Sequence, residues 1–240
     1  HSVDGIPESF DSREQWKECS SITELRDQKK CGGCWAFSTA EVLSDRICVV
    51  KHNNQSAMSP QYLLDCSKKN DGCNGGYLDE AWYFVRDTGL ALDSCIPFEG
   101  ESHSTCPYTC VDGSELKLQR SKDAYSPFIA FDLAANVALI QQEIIDHGPV
   151  VGGFYVFDDF YNYHSGVYQH VKGSKLVGGH AIKIIGWGVA DGITSSNNKV
   201  PYWLCTNSWG TSFGEHGFLR IIKGIIEGGI ESEIAAGIPH

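Results

Sequence analysis

The chain of 240 residues contains no apolar run long enough to cross a bilayer as a helix, and no lipidation signal is evident in it. Its first residues, His1-Ser2-Val3-Asp4-Gly5, lack the basic-then-apolar layout of a secretory leader; either the chain is cytosolic or a targeting segment has been removed. Positive charge is scarce. With 19 Lys and Arg against 30 Asp and Glu, the formal charge of −11 argues against a nucleic-acid partner, whose phosphates would repel it. No internal repeat or low-complexity linker divides the chain, and its length suits one large domain or two small ones sharing an interface. Cysteine, by contrast, is plentiful. Ten cysteines are heavy for a chain living among cytosolic reductants and favour an oxidising compartment. Asn54-Gln55-Ser56 fits the N-glycosylation acceptor pattern, which also arises by chance.

The texture of the chain changes near residue 112. Before it the reading is helical: Ala36, Ala40, Leu43, Ile47 and Val50 form an apolar stripe at helical spacing, with Glu41, Asp45 and Arg46 off that stripe. Ser59-Pro60 is an N-cap followed by proline at the first helical position. Leu78, Ala81, Trp82 and Val85 mark a further helix that Gly89 can close. After residue 112 the reading is mostly strand: Val150-Val151, Val167-Tyr168, Ala181 to Trp187, Tyr202 to Thr206 and Gly217 to Ile222, with turn residues at Asp191-Gly192 and Ser195 to Asn198. One helix, from about Val137 to Asp146, interrupts them and stops at Gly148-Pro149. A helical half packed on a β half leaves a cleft between them, a common place for an active site.

The segment Gln28-Lys29-Lys30-Cys31-Gly32-Gly33-Cys34-Trp35-Ala36-Phe37 carries the chemistry. Cys34 follows two glycines and opens the helical stripe, so it falls in a first helical turn, where free amides and the macrodipole favour a thiolate. A thiolate needs a proton donor that later serves as base. Of nine histidines, His180 has a distinctive setting, Gly178-Gly179-His180-Ala181 at the entrance to an apolar strand. Asn207, in Thr206-Asn207-Ser208-Trp209-Gly210, can accept a hydrogen bond from that imidazole. Cys34 and His180 lie 146 positions apart, within the range for a Cys–His protease pair. Blander readings compete. Cys31-x-x-Cys34 can be a redox pair, but no βαβ pattern precedes it. Cys106-x-x-x-Cys110 with His103 can be half a zinc site, but no second cluster completes it. Asn207 and Trp209 can be plain core residues, and the whole can be a protease fold kept as a binding module, although such modules usually lose the nucleophile.

These segments resemble the papain family of cysteine proteases, and its cathepsin B members along nearly the whole chain. Further matching stretches are Ser9-Phe10-Asp11-Ser12-Arg13-Glu14-Gln15-Trp16, Asp71-Gly72-Cys73-Asn74-Gly75-Gly76-Tyr77, Ser165-Gly166-Val167-Tyr168-Gln169-His170 and Gly229-Ile230-Glu231-Ser232-Glu233. The family usually has serine where Gly33 stands, a departure expected to be mild. The resemblance implies an α+β fold in two lobes within a single catalytic unit, residues 1–240. A helical left lobe would span about 11–112, and a β-barrel-like right lobe about 113–240 with 1–10 packed on it. It implies acyl transfer, with Cys34 as nucleophile, His180 as general acid and base, Asn207 orienting it, and Gln28 with the Cys34 amide holding the oxyanion. It further implies that Trp209 shields the His180–Asn207 contact, that Gly75, Gly76 and Gly179 border the substrate strand, and that no metal or organic cofactor takes part.

The same resemblance implies the bridges Cys19–Cys48, Cys31–Cys73, Cys66–Cys106 and Cys95–Cys110, leaving Cys34 and Cys205 free. From sequence alone, eight bridged cysteines allow 105 connectivities. Cathepsin B carries a long occluding loop with paired histidines between the counterparts of Cys95 and Cys106. Here ten residues, Ile96 to Thr105, intervene with the single histidine His103, too few to cover the cleft. The expectation is an endopeptidase with an open cleft. Glu233 matches an acidic residue at the base of the pocket for the side chain two before the scissile bond, and Gly153 stands on that pocket's wall where alanine is usual. Arginine or an apolar side chain is expected there. Expected partners are peptide and protein substrates, the chain's own propeptide and cystatin-like inhibitors; the expected state is a monomer, in an acidic lysosome-, vacuole- or endosome-like compartment or secreted.

Overall fold

The computed structural model describes residues 5–52, 57–127, 132–192 and 195–240, with the side chains of 195–198 left aside. Asn54 lies outside the described residues. Five α-helices are present among them: α1 (Ser12–Gln15), α2 (Cys34–Lys51), α3 (Pro60–Cys66), α4 (Leu78–Asp87) and α5 (Leu133–His147). The strands are β1 (Phe10–Asp11), β2 (Val150–Phe157), β3 (Val167–Tyr168), β4 (Leu176–Gly192), β5 (Ser195–Thr206), β6 (Phe218–Ile222) and β7 (Ile234–Ala235).

Local chemistry sets the helix ends. Ser59 accepts a hydrogen bond from the Tyr62 amide while Pro60 fills the first helical position of α3. Asp132 accepts one from the Ala135 amide, so α5 begins at Leu133, a turn ahead of the expected Val137, and ends where the Gly148 amide bonds to the Ile144 carbonyl. After α4 the Gly89 amide returns to the Phe84 carbonyl at 3.0 Å.

The strands run in the order β3-β6-β5-β4-β2-β7, with β1 on β4. Only β3 and β6 are parallel; the other pairs are antiparallel. The barrel expectation is corrected here: β3 and β7 stand at opposite ends of an open sheet, and both are two residues long. Edges that short present few unpaired groups, so closure is not needed to protect them. Residues expected as turns also pair in a long β4–β5 hairpin, with Asp191 opposite Lys199. The sheet ladder and the 2.6 Å Lys199–Asp191 contact outweigh their local turn preference. The register slips between Ile184 and Gly186, where the Phe10 carbonyl of β1 lies 2.1 Å from the place a Gly186 Cβ would take.

One core gathers α2, α3 and α4 with Leu116, Leu118 and Ala124, so the helical lobe recruits residues beyond 112. A second packs Ile140 and Ile144 of α5 against Phe154, Ile182, Ile184 and Trp203 of the sheet. The N-terminal segment lies on the sheet, with Phe10 stacked on Trp187 at 5.1 Å and Trp187 Nε1 donating to the Pro7 carbonyl.

Helix α2 sits between the lobes, and the one-stripe reading of it fails. Residues Trp35 to Val49 are buried all round, including Glu41, Asp45 and Arg46, whereas Val50 on the expected stripe is 45% exposed. The charges off the stripe face protein. Asp45 lies 2.9 Å from Lys183 of β4, both side chains wholly buried. Arg46 donates to the carbonyls of Pro149 and Gly237 and pairs with Glu143 of α5 at 2.9 Å. Paired and hydrogen-bonded charge of this kind is tolerated in an interior.

Candidate active site

Cys34 is the first residue of α2, behind Gly33 as N-cap, with no side chain capping the helix. Its amide and that of Trp35 therefore fall among the first-turn donors that the helix leaves free. The loop before it is stapled in place. Cys31 is bridged to Cys73, the Gly32 amide donates to the Cys73 carbonyl at 2.8 Å, and Trp35 Nε1 donates to the Gly72 carbonyl. A Cβ on Gly32 would meet that Cys73 carbonyl at 2.4 Å, so only glycine fits. A Cβ on Gly33 would sit 3.1 Å from both Cys31 Sγ and a Leu64 methyl, a tight fit for any side chain.

His180 comes from β4, paired opposite Phe154 of β2. Its Nε2 lies 2.8 Å from Asn207 Oδ1, and both residues are buried. Asn207 Oδ1 also accepts from the Ser208 amide at 2.9 Å. The Trp209 ring covers His180 at 4.7 Å between centroids, and Tyr161 stacks on Trp209 with its plane tilted by only 10°. Burial pushes the Cys34 thiol up, but the hydrogen bond and charge of His180 and the amides of Ala181 and Trp35 together leave it below the ordinary thiol range. A sulfur so held favours the thiolate, and its partner is oriented from behind by an amide oxygen.

Gln28 stands beside this pair. Its backbone amide bonds to the Ser208 carbonyl, its Nε2 donates to the Cys31 carbonyl at 2.9 Å, and its Oε1 accepts from the Ser208 hydroxyl at 2.6 Å. The second Nε2 hydrogen stays available. Ser208 was missed from sequence, although its place between Asn207 and Trp209 was a signal; Tyr161 had none, because only the fold brings it to Trp209.

A cleft of about 550 Å³ joins Gln28, Cys34, His180 and Trp209 to Gly75, Gly76, Gly153, Gly179 and Glu233, while Asn207 lies behind His180 and outside its lining. Gly179 and Gly75 have open space where a Cβ would go, whereas a Cβ on Gly76 would strike the Trp35 ring at 2.6 Å. Gly153 donates to the Glu233 carbonyl at 2.7 Å, and a Cβ there would crowd Leu78 at 3.1 Å. Glu233 is exposed.

The four bridges are Cys19–Cys48, Cys31–Cys73, Cys66–Cys106 and Cys95–Cys110. Cys34 and Cys205 are free, the latter wholly buried with its thiol pushed well up by burial. With Cys31 tied to Cys73, the Cys31/Cys34 redox pair is excluded. With Cys106 and Cys110 each in a bridge, so is the zinc half-site, and the described residues contain no group that could hold a metal ion. Residues Ile96 to Thr105 fold back on α3: Ser59 donates to the Ile96 carbonyl, Gln61 to the Glu101 carbonyl, and His103 lies against Asp65. None of the ten lines the cleft.

The family model described as papain family cysteine protease matches residues 6–238. The chain belongs to the papain family of cysteine proteases. It is 44% identical over 262 residues to cathepsin B-like cysteine proteinase 6 of Caenorhabditis elegans, covering 98% of this chain and 67% of that one. Among solved structures it resembles proCathepsin B S9 from Trypanosoma congolense, with a TM-score of 0.89 and 36% identity over 99% of this chain and 79% of that one. A Carica candamarcensis cysteine protease in complex with E-64 gives a TM-score of 0.76 and 28% identity, over 97% and 98% of the two chains. This papain-family protease is thus cathepsin B-like, and no described helix is long and apolar enough to cross a membrane.

Proposed function

We propose that this protein is an open-cleft cysteine endopeptidase. The observation that carries it is the unbridged Cys34 at the N-terminus of α2, held against His180 with Asn207 behind it. In this reading the Cys34 thiolate attacks the scissile carbonyl and forms a thioester; His180 gives its proton to the departing amine and then takes one from the water that frees the acyl group. The Cys34 amide and the remaining Gln28 Nε2 hydrogen receive the oxyanion, each such donor lowering the barrier by about 3–4 kcal/mol. Trp209 and Tyr161 keep water from the His180–Asn207 bond and form the leaving-group side.

The fold-back of Ile96 to Thr105 onto α3 supports cleavage within chains rather than from their C-termini. An internally quenched peptide ending in a free carboxylate and the same peptide ending in an amide are expected to be cleaved at similar rates. Strong preference for the free carboxylate defeats the endopeptidase reading. Glu233, exposed in the cleft and outside any ion pair among the described residues, suits an arginine two residues before the scissile bond, with Leu78 beside it for apolar side chains. Glu233→Ala is expected to reduce cleavage at arginine selectively; equal loss on both substrate classes contradicts the assignment. An open cleft of this kind also suits a propeptide lying along it and bulky cystatin-like inhibitors, in a monomer working in an acidic compartment.

A further inference from the structure

Glu233 is not the end of the cleft. Tyr77, Leu78 and Glu233 line the cleft and also line a second cavity of about 420 Å³, formed by the first turns of α4 and the segment from Ala124 to Ser126. Asp79, Trp82 and Tyr83 contribute to this second cavity and not to the first. Resting on the Glu233 reading above, we propose that recognition of a basic side chain continues past Glu233 into this cavity, with Asp79 as a second specificity-determining carboxylate.

The chemistry of the walls supports a guanidinium. Asp79 uses one oxygen to cap the Glu80 amide at 2.8 Å and, like Glu233, enters no ion pair among the described residues. Two unpaired carboxylates on one cavity leave a net negative field that a cation relieves. Tyr77 and Tyr83 add aromatic faces, over which a guanidinium is favourably placed. Arg86 already lies over the Tyr83 ring at 5.0 Å but is paired with Asp87 at 2.7 Å, so it does not neutralise Asp79. Trp82 is 1% exposed and its Nε1–H has no acceptor among the described residues. That nitrogen is itself sealed from solvent, so the preference for a cation rests on the carboxylates and the aromatic faces. The exposed Glu233 carboxylate, bordering both cavities, is the point at which an arginine reaching from the substrate strand passes from one to the other.

The test is the ratio of kcat/KM for two internally quenched peptides that differ only in Arg or Phe two residues before the scissile bond. Asp79→Asn keeps the acceptor for the Glu80 amide and removes the charge; it is expected to lower the Arg:Phe ratio about threefold, the effect of losing one solvent-screened ion pair. Asp79→Glu is expected to restore the ratio, which a purely structural role for Asp79 does not predict. A second measurement needs no variant. A closed pocket penalises one extra methylene by roughly 10–200-fold, whereas the continuing cavity predicts that homoarginine is cleaved within about twofold of arginine. An unchanged ratio in Asp79→Asn, or a tenfold penalty on homoarginine, overturns the proposal. Glu233→Gln run in parallel separates the two readings. If that variant keeps the wild-type ratio, the Glu233 assignment itself fails; if it loses the ratio while Asp79→Asn does not, only the extension fails.

Discussion

Glu41 gives the protein a stability that depends on pH in a defined direction. It lies inside α2 between the two lobes, with Oε1 buried and without a hydrogen-bond partner among the described residues. Burial raises its carboxyl from 4.5 to about 7, against the opposing charges of Lys183 and Arg26 and with help from Asp45. The unfolded chain releases this proton near the ordinary carboxylate value, whereas the folded chain holds it to about 7. Below the unfolded value both states are protonated and folding bears no penalty from this group. As pH rises through the window from about 4.5 to about 7, the folded state must keep a proton that the unfolded state has released, and stability falls. A shift from 4.5 to about 7, at ~1.4 kcal/mol per pH unit, makes the full loss about 3 kcal/mol, an order-of-magnitude figure. Glu41→Gln removes the titration while keeping the side-chain shape. Urea unfolding of both proteins at a series of pH values is expected to give matching midpoints at the acid end and a variant more stable by about 3 kcal/mol above neutrality. Parallel pH profiles for wild type and variant across that window refute the reasoning.

Three further outcomes follow from the site. Asn207→Ala removes the oxygen 2.8 Å from His180 Nε2 and is expected to lower kcat/KM by about tenfold or more, part of the roughly 10²–10⁴-fold that general acid–base catalysis supplies; wild-type kcat/KM with unchanged stability contradicts it. Gly32→Ala drives a Cβ to 2.4 Å from the Cys73 carbonyl, so thermal unfolding should reveal a loss of roughly 1–3 kcal/mol, the usual cost of overpacking. Alkylation of Cys34 should stay fast as pH falls below the ordinary thiol range, and His180→Ala should move the midpoint of that profile upward, because His180 provides the largest lowering influence on the thiol; an unmoved midpoint counts against the pairing.

The candidate site residues stood out in the sequence because their residue types and neighbours are chemically restrictive. Two glycines before Cys34, two before His180, and Asn207 beside Trp209 each announce a backbone approach or a first-turn position. The surroundings were less legible wherever a pattern presumes water on one side. Glu41, Asp45 and Arg46 read as lying off the apolar stripe of α2, but the helix is enclosed, and Asp45 and Arg46 meet Lys183 and Glu143 from distant segments. The extended hairpin of β4 and β5 was missed because turn-forming residues such as Asp191 and Gly192 were held in the ladder by their cross-strand partners. Closure of the sheet is a global property that strand counts do not contain. The cavity beyond Glu233 was invisible for a similar reason: Asp79 and Tyr83 sit on α4 as ordinary surface residues, and the packing of residues 124–126 and 232–235 beside them makes a pocket.

The central claim is that Cys34 is the reactive thiol and that His180 makes it so. Intact-mass and peptide-level spectrometry after treatment with a peptidyl epoxide, in mildly acidic reducing buffer, tests it most directly. The structure predicts one adduct per chain, on Cys34, strongly slowed in His180→Ala, with the buried Cys205 untouched. An unlabelled Cys34, or labelling that proceeds equally well without His180, contradicts the account.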